Sequence, residues 1–112
     1  MNNQKRTFNP LLKRQTRYQQ AENAKLKYIG NWGPAIQGTT ISSSEWTLED
    51  GNATLSSEAN TTTQTSVFID GTPGENTIVN KVTLANGEIN EHILKLRITD
   101  NDIPYINDDY WG

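Results

Sequence analysis

The sequence predicts an all-β fold, an antiparallel sandwich, on three observations. The run His92-Ile-Leu-Lys-Leu-Arg-Ile98 alternates strictly. His92, Leu94, Leu96 and Ile98 fall on one face, and Ile93, Lys95, Arg97 and Thr99 on the other. Asn86-Gly87, just before that run, is the strongest short hairpin signal in the chain. Further strand-like runs recur at short spacing with turn residues between them, the pattern of a sandwich. Composition agrees: 14 Thr and 13 Asn suit strand faces and turns better than helices.

Taken in order, Asn9-Pro10 reads as a helix start, with Asn9 as N-cap and Pro10 at the first helical position. The following residues carry only a thin apolar stripe of Leu11, Tyr18 and Ala21, so this segment is expected to be ordered by contact with something else. Leu26–Trp32 reads as the first strand, broken by Gly33-Pro34. A polar loop leads to the strand around Trp46, the largest side chain available for the core. A turn at 49–52 precedes a short strand at 53–56, and 65–70 is the next strand. The turn at 71–74 leads into 77–84, with Ile78, Val82 and Leu84 inward. The expected core is Trp46, Val67, Ile69, Val82, Leu94 and Leu96. Three regions result: a basic N-terminal arm (1–25), the sandwich (26–100) and an acidic, aromatic tail (101–112).

At 112 residues the chain is at most one domain, and a module of this size buries only about 60% of its unfolded surface. With no Cys, neither disulfides nor thiolate metal sites add stability. No apolar run approaches the roughly 20 residues that span a bilayer, so no membrane partner is expected. The first six residues have no apolar segment behind their charges, so no secretory signal is expected. The net charge of −3 hides an asymmetry. Residues 1–27 hold seven cations against Glu22 alone, a net +6, whereas residues 28–112 hold three against twelve carboxylates, a net −9. A basic segment on an acidic body implies an anionic partner: nucleic acid, an acidic neighbouring protein, or another copy of the chain.

The run Tyr28-Ile-Gly-Asn-Trp32 is followed by Thr40-Ile-Ser-Ser-Ser-Glu-Trp-Thr-Leu48 and then Thr65-Ser-Val-Phe-Ile-Asp-Gly-Thr-Pro-Gly74. Asn76 to Leu84 and Gly87 to Ile98 complete the series. Together these runs resemble Ig-like domains of tailed-phage structural proteins. The resemblance implies an Ig-like antiparallel β-sandwich, to which the residues themselves add an extended or part-helical N-terminal arm and an irregular C-terminal tail. It also implies a non-enzymatic virion component, such as a head decoration, neck or tail protein, made in the host cytoplasm. Its partners would be phage structural proteins, the major capsid protein or a connector or tail protein. The arm and tail lie outside the resembling runs.

Chemistry-bearing constellations are sparse. His92 is the only histidine, so a two-His metal site is excluded, and a strand histidine near a sheet edge is the simpler account of it than a triad. Asp100-Asn-Asp102 with Asp108 and Asp109 offers oxygen ligands for Ca²⁺, but an acidic solvated tail is the simpler account of them. No cofactor is expected. Partner contacts are expected from Lys5, Arg6, Leu11, Leu12, Lys13, Arg14, Arg17 and Tyr18 in the arm. Tyr105, Tyr110 and Trp111 in the tail are the other candidates, because aromatic anchors typify interface hot spots. Two other readings stay open. Carbohydrate binding requires exposed aromatics, which only Trp32 offers, and nucleic-acid binding through the arm has Tyr18 as its single stacking residue.

Overall fold

The computed structural model of the protein describes residues 6–11 and 13–100. Its strands are β1 (Arg6–Phe8), β2 (Gln15–Ala21), β3 (Leu26–Asn31), β4 (Ile41–Asp50), β5 (Thr54–Asn60), β6 (Gln64–Asp70), β7 (Gly74–Leu84) and β8 (Ile89–Thr99). A one-turn helix, α1 (Gly33–Ile36), separates β3 from β4. Two four-stranded sheets form, ordered β1-β3-β6-β5 and β2-β8-β7-β4. Their facing sides interdigitate: Phe8, Tyr28, Val67 and Ile69 of the first sheet pack with Trp46, Ile78, Leu94, Leu96 and Ile98 of the second. This is the sandwich that the sequence predicts.

The later strands follow the alternation closely. β7 and β8 pair antiparallel around Asn86-Gly87, with Ile78 opposite Leu94 and Asn80 opposite His92. Gly87 takes φ +95°, which that tight connection requires. All six expected core residues are buried, Val82 in a second cluster with Trp32, Ile36, Ile41 and Leu84. Gly33-Pro34 ends β3 as expected, because α1 starts there and closes on Gln37 in the left-handed region. The strand expected at 53–56 runs on to Asn60, across a bulge where Ser57 has φ +53°.

Two expectations are corrected. The sandwich is mixed, not antiparallel: β1 runs parallel to β3, and β2 parallel to β8. And 9–24 is not part-helical among its described residues, because 15–21 form β2, and 6–8 before it form β1. Of the stripe read as helical, only Tyr18 faces inward from β2 with a period of two, while Leu11 lies before the strand and Ala21 on its other face. Thr16, Tyr18 and Gln20 share one face, and Gln15, Arg17 and Gln19 share the other. The inward set is polar yet satisfied. Gln20 accepts from Tyr28 Oη and donates to the Ile69 and Ala24 carbonyls, while Thr16 Oγ1 lies 2.9 Å from His92 Nε2. Backbone groups of β2 pair along seven residues of β8, more than an isolated helix of that length could stabilise. The same pairing moves His92 away from a sheet edge, since β8 lies between β2 and β7.

Phe8 is the keystone of this N-terminal pair. It is buried, stacks on His92 at 4.4 Å and meets Trp46 edge-on at 6.0 Å. Gly30 leaves room for it, because a Cβ there would overlap the Phe8 ring. The Phe8→Ala variant should therefore lose about 3–5 kcal/mol of stability in denaturant unfolding. An unchanged midpoint would show that β1 is not integral to the fold.

His92 is fully buried, and burial holds its imidazole below the usual value of 6.5, opposed in part by the Lys13 backbone. The unfolded chain therefore takes up a proton near pH 6.5 that the native state refuses. Stability should fall as pH drops from about 7 toward 5. His92→Gln should flatten that slope in thermal melts across the window, whereas an unaltered slope would assign the loss to other groups.

Candidate docking surface

One end of the sandwich, where β8 begins, gathers features that suit a contact with another molecule. The β1–β2 connection brings Pro10 and Arg14 there, the end of β3 brings Trp32, α1 brings Ala35, and β8 brings Ile89, Asn90 and Glu91. Together they line a hollow of about 460 Å³. Each is placed for a local reason. The Arg14 carbonyl accepts from Ile93 N, tying the loop to β8. Trp32 is 2% exposed and donates Nε1–H to Asn80 Oδ1 at 2.9 Å. Ile89 follows the Asn86-Gly87 turn, so the hairpin carries it clear of the core.

Leu11, between Pro10 and Arg14 in the chain, and Ile89 are 55% and 57% exposed. They are the exposed large hydrophobic residues among those described, and both belong to segments that line the hollow. Scattered exposed apolar residues are ordinary; here Ile89 lines the hollow and Leu11 lies in the loop that borders it, which suits a contact site. Lys13 and Arg14 are exposed beside them and make no ion pair among the described residues. Glu91 stands opposite Lys81 in the β7–β8 register. The hollow thus sets one cation, Arg14, and one carboxylate, Glu91, among Pro10, Trp32, Ala35, Ile89 and Asn90, with Lys13 in the loop beside it.

The expected partner-binding residues separate. Leu11, Lys13 and Arg14 lie at or beside the hollow. Arg17 points outward from β2, next to Lys95 in register. Arg6 and Tyr18 turn toward the interior. The Arg6 guanidinium lies 5.8 Å from the Tyr28 ring centroid, and Tyr18 meets Tyr28 edge-on at 5.2 Å. Burial raises the hydroxyl pKa of both tyrosines, with Arg6 opposing, so both stay neutral donors. Lys5, Leu12, Tyr105, Tyr110 and Trp111 lie outside the described residues, as do the tail and its candidate Ca²⁺ ligands beyond Asp100. Trp32, weighed as an exposed sugar platform, is buried instead, because its indole N–H is spent on Asn80. Ile89 was missed by sequence reasoning. An isoleucine just after a hairpin turn, outside the strict alternation that starts at His92, was the signal that could have found it.

The arrangement offers contact more than chemistry. Among the described residues, no three His, Asp or Glu side chains gather as a metal site, and His92 is sealed from solvent. No described helix is long and apolar enough to cross a membrane.

Comparison with known proteins assigns the chain to a family. Residues 20–97 match the model of the family described as "Podophage GP4 fiber-tail adaptor protein gp77". No curated protein matches. The fold is similar to the crystal structure of the cysteine protease inhibitor EhICP2 from Entamoeba histolytica. That likeness has a TM-score of 0.56 at 10% identity, over 85% of this chain and 95% of that one, and it bears on the fold alone. The family match spans well over half of the sequence, and the chain belongs to the gp77 fiber-tail adaptor family, a structural kind of phage virion protein.

Proposed function

We propose that this member of the gp77 family is a non-enzymatic joint in a phage tail, an adaptor through which a fiber is held to the tail. The match over 20–97 carries that reading. It favours the tail over the capsid-decoration and connector roles that the sequence alone left open. We read the sandwich as Ig-like, which the β1-β3-β6-β5 and β2-β8-β7-β4 strand orders support, although the β1–β3 pairing is parallel. The hollow end is the docking surface of the adaptor, with Leu11 and Ile89 supplying apolar contact and Lys13 and Arg14 steering an acidic partner surface. Exposed pairs contribute about 0–1 kcal/mol each, so charge sets the approach and the apolar residues hold the contact. Nucleic-acid binding is disfavoured by the dispersal of the cations: Arg6 turns inward, Arg17 lies on an outer face, and Lys13 and Arg14 sit at one end.

Leu11→Asp with Ile89→Asp tests the surface, since both side chains are exposed and the fold should tolerate the change. Burying each on docking contributes about 1–2 kcal/mol, so the double variant should occupy purified particles at least about tenfold less than the wild type. Its melting temperature should be unchanged, and fibers should be lost from the particles in proportion. Normal copy number of the variant would remove the hollow from the interface. Particles that lack the protein yet keep their fibers would overturn the adaptor reading itself.

A further inference from the structure

We propose that β1 and the start of β2 form a latch that opens and closes as one unit, and that the hollow is complete only while the latch is closed. The proposal rests on the reading of the hollow as a docking surface and adds how that surface is regulated.

The hollow is shared between two parts of the chain. Trp32, Ala35, Ile89, Asn90 and Glu91 belong to the body of the sandwich, whereas Pro10 and Arg14 come from the β1–β2 connection. The two strands that carry this connection pair parallel, and each lies at the edge of its sheet. The rest of each sheet, β3-β6-β5 and β8-β7-β4, is paired antiparallel throughout. The body can therefore keep its pairing while the N-terminal strands lift, a local opening below the cost of global unfolding. The hollow then loses one side.

The latch is fixed unequally at its two ends. Near the turn into β3, Gln20 accepts from Tyr28 Oη and donates to the Ile69 and Ala24 carbonyls, so both sides of its amide are bonded. At the hollow end the anchor is Phe8, set against the rings of His92 and Trp46. His92 Nδ1 and Trp46 Nε1 are buried with no hydrogen-bond partner among the described residues, and so is Gln19 Oε1 on β2. Burying a polar atom without a partner costs free energy, and opening relieves it. The latch therefore opens from Phe8 and pivots on Gln20.

Opening and docking are linked. A partner that needs Pro10 and Arg14 together with the body side binds only the closed form, so its apparent affinity scales with the closed fraction. Docking holds the latch closed by the same factor.

Amide hydrogen exchange by NMR on the full chain tests this, with Ile93 and Leu94 as reporters. Ile93 N–H donates to the Arg14 carbonyl on the latch. Successive amides of a strand point to opposite sides, so Leu94 N–H faces β7. In the wild type Ile93 should exchange at least about tenfold faster than Leu94, in step with the bonded amides of β1 and the start of β2. Phe8→Ala, which alters no residue of the hollow, should strip protection from that whole block and leave Leu94 protected. Its occupancy of purified particles should fall at least about tenfold. Thr7 and Ile29 are register partners on β1 and β3, so Thr7→Cys with Ile29→Cys can clamp the latch shut in a chain with no other Cys. Oxidation of that clamp in the Phe8→Ala background should restore both Ile93 protection and occupancy. Equal exchange of Ile93 and Leu94, or loss of Leu94 protection in Phe8→Ala, makes latch and body one unit and overturns the proposal. Normal occupancy with the latch open overturns the coupling and leaves the docking reading in place. Leu11→Asp with Ile89→Asp should lower occupancy while Ile93 exchanges as in the wild type, and normal occupancy of that variant overturns the docking reading and the coupling with it.

Discussion

The amide of Asn80 is the interaction on which the rest of the sandwich depends. It is fully buried on β7, and all of its hydrogen-bonding capacity is used. Oδ1 accepts from Trp32 Nε1 and from Thr65 Oγ1 at 2.7 Å, and Nδ2 donates to Ser44 Oγ and the Glu45 carbonyl. Those partners come from the end of β3, from β6 and from β4, so one side chain joins both sheets. A buried amide left without partners costs about 1–3 kcal/mol, and only one alignment of the sheets satisfies this one. Hydrophobic contact would tolerate small slips between the layers, but Asn80 does not. It also fixes the indole that floors the hollow, which ties the docking surface to the core.

Asn76, four residues earlier on the same inward face of β7, acts in a similar way at the other end. Its Oδ1 accepts from the Asn52 and Ala53 amides, and Nδ2 reaches the Leu96 and Gly74 carbonyls. The tight β4–β5 turn is held there, and Gly51 at φ +110° is needed because a Cβ would overlap the Asn76 amide. Between the two asparagines Ile78 is pure packing. β7 is thus a strand whose inward face alternates anchors and filler, and its register against β8 runs unbroken from Gly74 to Thr83.

What the sequence revealed and what it concealed follow from the same feature. β6, β7 and β8 were legible because Val67, Ile69, Ile78, Val82, Leu94 and Leu96 put an apolar period of two on the page, and Asn86-Gly87 joined the last two strands. β2 was hidden because its inward residues are Thr16, Tyr18 and Gln20, and a search for apolar alternation passes over them. Their partners, His92, Tyr28 and the Ile69 carbonyl, are distant in sequence, and no local pattern announces a parallel pairing with β8. The candidate site was legible in part for the same reason. Leu11, Lys13 and Arg14 stood out by composition. Ile89 and the recess over Trp32 exist only once the β1–β2 loop, α1 and the start of β8 are brought together.

The shape of the sandwich also decides which of its surfaces is open to partners. A sheet edge is the ordinary place for another chain to add a strand, and three of the four edges here are blunted. β1 is three residues long. β5 is interrupted by a bulge at Ser57, and β4 by register shifts at both of its ends. The fourth edge, β2, sets Arg17 beside Lys95 on its outer face, a like-charge pair that opposes a further cation there. On the outer face of the second sheet Val79 and Ile93 stand opposite each other, and Thr47 and Gln15 flank the pair in register. Lateral association is thereby discouraged, and attachment is left to the two ends. The ends are unlike: one carries the recess with Arg14 and Glu91 among its lining residues, the other the end of β8, beyond which the sequence turns acidic and aromatic. A module closed on its sides and different at its ends is suited to transmit a polarity along an assembly, which a joint between two dissimilar bodies requires.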